Sequence, residues 1–449
     1  MSSDNAQLWL SYATKVLPSL GLKPSAKSKV YIAPLSAAGI AAGTNIPPAV
    51  TNQGIFVIGD TLLDPTNPMF LPGTSSYSQR LASYLASVQL PGDLSPGTMA
   101  NLTAAQKAVN EAQLAFNTTQ TAAVAAWKAY QDLGIGNNIP FSNWFPSNYP
   151  GYGAAKSTLS AATQNLFQAQ HAAYGSNADI LANDLLRMSS ASDVNSPNNM
   201  NMPTSTAPAS VIADPSKIDL NVIYRPLYSL QGEYADVVDG WMRNFPNSVK
   251  NPGTSINFKY AEGANQSWSS LGFTEDQVKI SDDFFFFSSS YTKNNQKVTK
   301  NLKASDFAED ISLTVTFTGY QVFTVTPGAW NVGDVKTIFP TLSANAPAPL
   351  NTPMELVSQV AMAYGVGMVI TMSESSMSQL HDYLQTTSTN GGSASIFGWE
   401  IGGGAGSTST STTTFDKVLK TATSTTITIP AENTGYPVLV AAVAGDSQV

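Results

Sequence analysis

The chain predicts an α+β protein, a helical part followed by a β-rich part, and three observations carry that prediction. Residues 99–192 place apolar residues at alternating spacings of 3 and 4 with little charge, the pattern of paired helices. Beyond residue 218 the spacing becomes 2, the pattern of strands with one covered face. Between them runs a Ser/Asn/Pro stretch, residues 189–217, with no periodicity. The divisions that follow are 1–98, 99–192, a linker at 193–217, and 218–449.

The first 98 residues are punctuated by proline at positions 18, 24, 34, 47, 48, 65, 68, 72, 91 and 96. Each proline removes a backbone donor, so only short elements are expected there: helices near 5–17 and 77–88, and a strand at 55–59. This segment is read as wrapping the rest.

Next come two arms, 102–133 and 154–188. The first carries Leu102, Ala105, Val109, Ala112 and Phe116 on one seam, continued by Ala123, Trp127 and Tyr130. The second answers with Leu159, Ala162, Leu166, Ala169 and Ala173, and Tyr174-Gly175 marks a break. So much alanine lets two helix backbones approach closely, and a long antiparallel helical hairpin is expected. Its connecting loop, 134–153, gathers Phe141, Trp144, Phe145, Tyr149 and Tyr152 among Gly, Pro and Asn. Those five rings are the candidate contact residues for a membrane or a partner; folding back as a satellite core is the other reading.

In the β-rich part, Ile311, Leu313, Val315 and Phe317 alternate with Ser and Thr, and Thr318-Gly319 reads as a hairpin turn into Tyr320, Val322 and Phe323. Further strands are expected at 255–260, 283–289, 366–372, 395–401, 423–429 and 438–443, giving an antiparallel, sandwich-like assembly. Helices are expected at 233–243, at 354–363 behind Thr352-Pro353, and at 375–384. Residues 356–372 lack charge but include Ser, Gln, Gly and Thr, and fall short of a bilayer span, so they read as buried core.

Composition narrows the function classes. Only 12% of residues are charged, about half the usual share, so solubility rests on Ser, Thr, Asn and Gln and self-association into a homo-oligomer is expected. The net charge of -8 is spread without long runs, which excludes nucleic acid as the expected partner and weighs against purely electrostatic docking on lipid. There is no cysteine, which removes disulfides, thiol catalysis and thiolate metal sites. The first residues lack the pattern of a secretory signal, so cytoplasmic synthesis without a classical signal peptide is expected, with later release to act on membranes.

Catalytic constellations are sparse, and no cofactor or metal is expected. Two histidines, His171 and His381, supply little for acid/base or zinc chemistry. The carboxylate candidates, Asp236 with Asp239, Asp282-Asp283 and Glu309-Asp310, read as solvated faces or turns. IGGGAGS at 401–407 lacks the Gly-Lys-Ser/Thr of a phosphate loop. FVIGDTLLD at 56–64 resembles the first block of the GDSL (SGNH) hydrolases, which would imply a strand delivering a nucleophile turn. Thr61 stands at the nucleophile position, and neither histidine has the Asp three residues before it that the family's activating pair requires.

A helical hairpin beside a β-rich part is similar at the level of fold to α-helical pore-forming toxins that carry a receptor-binding β domain. That resemblance implies a non-enzymatic, toxin-like protein that acts on a lipid membrane or surface receptor. A self-assembling structural or storage protein is the alternative, and an enzyme with an unfamiliar site is the third.

Overall fold

The computed structural model describes residues 3–20, 28–35, 38–73, 75–92, 94–132, 139, 141–175, 178–191, 196–203, 222–231, 233–280, 285–293, 296–302, 304–307, 311–402 and 413–446. It is an α+β protein whose strand pairs are antiparallel. In chain order the helices are α1 (Ser3–Leu20), α2 (Pro48–Gly59), α3 (Tyr77–Ala86), α4 (Pro96–Asp132), α5 (Phe141–Asn148), α6 (Pro150–Tyr174), α7 (Ala178–Ser190), α8 (Tyr234–Ser248), α9 (Val335–Ile338), α10 (Glu374–Thr389) and α11 (Phe415–Leu419).

The strands are β1 (Ser28–Ile32), β2 (Asn199–Pro203), β3 (Val222–Pro226), β4 (Tyr228–Leu230), β5 (Thr254–Lys259), β6 (Phe287–Lys293), β7 (Gln296–Leu302), β8 (Ser312–Pro327), β9 (Glu355–Thr371), β10 (Ser393–Ile396), β11 (Trp399–Ile401), β12 (Thr426–Ile429) and β13 (Val438–Asp446). A seven-stranded sheet follows the order β1-β13-β9-β8-β4, with β12 also on β9 and β5 also on β8. Strands β11-β10-β6-β7 make a second sheet, and β2-β3 a two-stranded ribbon.

Strand β9 is the spine of the large sheet. It pairs with β8 along one side and with β12 and β13 along the other. A strand covered on both faces carries apolar residues without alternation, which is why 356–372 reads as core. The helix expected at 354–363 is therefore strand instead: Val357, Val360, Ala361, Met362 and Ala363 are all buried, and burial on both faces overrides the capping signal at Thr352. The turn expected at Thr318-Gly319 is also absent, because β8 runs straight through. An added Cβ at Gly319 would lie 2.3 Å from the Trp241 ring of α8, so this glycine admits the indole onto the strand backbone.

The strand expected at 55–59 is the last turn of α2. Pro48 starts that helix with its ring already at a helical φ, and Val50, Ile55 and Ile58 bury against the body. The first 98 residues build the body as well as wrap it. β1 pairs with β13, its Lys29 forms an ion pair with the buried Glu355 of β9, and Trp9 of α1 stacks on Phe397 at 4.2 Å.

Helices α4 and α6 lie side by side. Phe116 meets Tyr152 at one end, and Tyr174 flanks Gly92, just ahead of α4, at the other, so the two run in opposite directions. At 1.5 Å per residue α4 is about 56 Å long. Its near half joins the main core through Leu102, Val109 and Ala112, with Ala162, Leu166 and Tyr174 from α6. Gly175 ends α6 with φ 62, at the expected break.

Candidate functional site

The far end of the helical pair holds a second, separate core. Phe116, Ala123, Val124 and Trp127 of α4, Phe141 and Trp144 of α5, and Tyr152 of α6 are its buried members. Phe141 is the hub, touching Trp127 at 5.6 Å, Tyr152 at 5.1 Å and Phe145 at 5.6 Å between ring centroids. Rings meeting edge to face place positive edges on negative faces, which adds to the gain from burial.

The short helix α5 is what turns the rings inward. Tyr149 N–H donates to Phe145 O at 2.8 Å, Asn148 Nδ2 donates to Trp144 O at 2.8 Å, and Pro150 then opens α6. Trp127 Nε1 donates to Ile139 O at 3.1 Å, while Trp144 Nε1 is buried with no acceptor among the described residues.

The five rings singled out in the sequence thus come together, though not as a bare exposed tip. Phe141, Trp144 and Tyr152 are 3%, 4% and 2% exposed, and only Phe145 and Tyr149 are half-buried. The physical reason is α5, which turns Phe141, Trp144 and Phe145 toward α4 and Tyr152 of α6 instead of leaving them in water. Residues 134–138 and 140 of the expected loop lie outside the described residues.

The β2-β3 ribbon ties this end to the body. Val222 and Ile223 pack on the aromatic cluster, and Arg225 Nη1 donates to Gln120 Oε1 of α4 at 3.3 Å. On the body side, Asn52 Nδ2 donates to Asn201 O at 2.9 Å and Gln53 Nε2 donates to Pro203 O at 3.3 Å. Two residues past Pro226, the Tyr228 hydroxyl donates to Asp60 Oδ1 at 2.9 Å. The sequence offered no sign of the ribbon, because β2 falls inside the expected linker at 193–217 and β3 beyond it, in a stretch with no expected strand.

Asp60 sits where body and ribbon join. It accepts from Ser76 Oγ at 2.5 Å and from the Ser78 N–H at 2.8 Å as well as from Tyr228. Burial pushes its carboxyl above the usual range, and those hydrogen bonds oppose the shift. Burial likewise pulls the Arg225 guanidinium below its usual range, against the favourable charge of Asp60.

The same region corrects the GDSL-like reading. A helix, α2, and not a strand leads into Asp60-Thr61, and Thr61 Oγ1 donates to Val57 O at 2.6 Å and accepts from Gly73 N–H, which makes it a helix-end brace. His171 faces Asp179 at 3.4 Å on the outside of α6, and His381 lies half-buried on α10. Asp239 accepts from the Thr44 N–H and hydroxyl at 2.8 and 2.7 Å, stitching α8 to the N-terminal segment. Asp282, Asp283, Glu309, Asp310 and residues 403–407 lie outside the described residues.

Two further features bear on function. Among the described residues, no helix is long and apolar enough to cross a membrane, and no group of three or more His, Asp or Glu is placed to hold a metal ion. No family model, curated protein or solved structure matches the chain.

Proposed function

We propose that this chain is a non-enzymatic, membrane-active protein. In this reading the helical hairpin delivers its aromatic end to the headgroup layer, and the β-rich, sandwich-like part supplies adhesion to the lipid surface or to a receptor on it. Phe141, Trp144, Phe145, Tyr149 and Tyr152 would be the contact residues, as rings with an apolar body and a polar edge are favoured at that depth.

One observation carries the reading: the aromatic end has its own core, apart from the main one, and is tied down by a two-stranded ribbon. Release of the ribbon would free these rings without opening the body. The interior of the helical pair also contains polar atoms with no described partner, at Trp144 Nε1 and at both side-chain atoms of the fully buried Gln170. Each such group costs about 1–3 kcal/mol in the packed state, a cost that an opened state escapes.

The test is dye release and co-sedimentation with neutral, anionic and sterol-containing liposomes, comparing the parent with Phe145→Ala/Tyr149→Ala. These are the two half-buried rings, whose loss disturbs packing least. Release by the parent and its loss in a variant with unchanged circular dichroism is the expected outcome. Absence of binding to every vesicle would sink direct membrane action.

A second reading, self-assembly as a structural or storage protein, is favoured by a different observation. Leu114, Ile180 and Leu186 of the helical part are 70%, 58% and 51% exposed on a surface with little charge to oppose association. Light scattering that finds only monomer across a wide concentration range would count against it.

A further inference from the structure

Strands β6 and β7 carry a run of lysines in an acidic chain. Residues 291–303 contain Lys293, Lys297, Lys300 and Lys303 and no acidic residue, in a chain of net charge -8. The register divides these lysines between the two faces of the ribbon: Lys293, opposite Gln296, and Lys300, opposite Ser289, share the face of Tyr291 and Val298, while Lys297, opposite Thr292, lies on the other.

The hairpin also stands out from its sheet. β10 pairs with β6 only as far as Ser290 and Gly392 backs onto the Tyr291 side chain, so Thr292 and Lys293, with Gln296 and Lys297 opposite, lie beyond the sheet. Lys293, Lys297 and Lys300 are exposed, and none forms an ion pair among the described residues. Lys300 Nζ rests 5.2 Å above the Tyr383 ring. Tyr291 and Val298 form a half-buried cross-strand pair between the lysines. Among the described residues, the carboxylates on elements around this ribbon are Asp306, just past β7, Asp382, beside Tyr383 on α10, and Glu400 on β11, two strands from β6 and three from β7.

We propose that this hairpin tip docks on an anionic lipid bilayer, with the lysines on the headgroups and Tyr291 and Val298 at the interface. The proposal rests on the membrane reading above and names the element that makes the adhesion. Charge complementarity selects an anionic partner. The Tyr-Val pair selects a bilayer over a nucleic acid, because an interface rewards a small apolar contact flanked by long basic side chains. The proposed contact is not purely electrostatic, because Tyr291 and Val298 add an apolar part beside Lys293 and Lys300.

The experiment is co-sedimentation with phosphatidylcholine vesicles, with and without phosphatidylserine, at low and high salt. The parent is expected to bind the phosphatidylserine vesicles at low salt and to leave them at high salt. The variant Lys293→Gln/Lys297→Gln/Lys300→Gln is expected to bind about a hundredfold more weakly, about fivefold per lysine, with unchanged circular dichroism. The single change Lys107→Gln, on the outside of α4, is expected to have no effect. Equal binding by the triple variant overturns the proposal, as does failure of the parent to bind anionic vesicles or binding to heparin alone. Dye release from neutral vesicles by the triple variant would leave the hairpin reading intact, so the two ideas fail separately.

Discussion

In the main body Phe397 touches Trp9, Tyr12, Phe258 and Phe286, rings brought from widely separated stretches of chain. At the far end of the helical pair, Phe141 touches Trp127, Trp144, Phe145 and Tyr152, all from one stretch of chain. The first core exists only when the whole chain has closed around it; the second needs little more than α4, α5 and α6. Cores of local contacts can open and close as units, whereas non-local cores rise and fall with global stability. The same kind of side chain therefore marks a fixed body in one place and a separable element in the other.

The largest effects should test that contrast directly. Phe397→Ala and Phe141→Ala each remove a buried ring at a cost of about 3–5 kcal/mol. Phe397→Ala should lower hydrogen-exchange protection throughout β8 and β9. Phe141→Ala should raise exchange in residues 116–152 and leave the sheet as it was. Equal loss of sheet protection in both variants would break the comparison.

Gly319→Ala should come next. Its new Cβ meets the Trp241 ring at 2.3 Å, and α8 must shift, at about 1–3 kcal/mol. Urea unfolding followed by tryptophan fluorescence should show a lower midpoint; an unchanged midpoint would mean that α8 is held more loosely than the packing implies.

Gln170→Leu should act in the opposite direction. It removes two buried polar atoms that have no described partner, so a gain of about 1–2 kcal/mol is expected in thermal or urea unfolding. The same change should slow any membrane activity, because it favours the closed seam. A destabilised variant would show that Gln170 has a partner in solution.

The joint between the two regions should give the gentlest effect, a pH dependence. Asp60 has its carboxyl pushed up by burial, so the folded state holds its proton to higher pH than the unfolded state does. Stability from this group is present below the ordinary carboxylate range and declines as pH rises through the raised value, with a slope of at most ~1.4 kcal/mol per pH unit. Urea midpoints measured between acid and neutral pH should fall in the parent and stay flatter in Asp60→Asn. A parent with no slope in that window would place the Asp60 carboxylate in a better-solvated setting.

The local core was easier to read than the distant one, for the same physical reason. Leu102, Val109 and Phe116 announce a helix seam because the partners of a helix lie within its own period, and the break at Gly175 follows from its left-handed φ. Gly319 misleads because its role is set by Trp241, far away in sequence. The strand at β9 misleads because burial on both faces erases alternation. The rings of the candidate site were visible as a group, but their inward packing depends on α5, and their tether depends on Arg225 meeting Gln120 across a long stretch of chain. The lysines of β6 and β7 escape notice in the sequence because they stand three or four positions apart; strand pairing puts Lys293 and Lys300 on one face and Lys297 on the other.

We propose that the aromatic end acts by leaving its ribbon. The absence of native cysteine makes a clean test available in Gln120→Cys/Arg225→Cys, joined by a bifunctional thiol reagent with a reducible linker. Dye release from liposomes should be lost in the cross-linked protein and should return when the linker is reduced. Release that continues unchanged with the ribbon fixed to α4 would contradict the account.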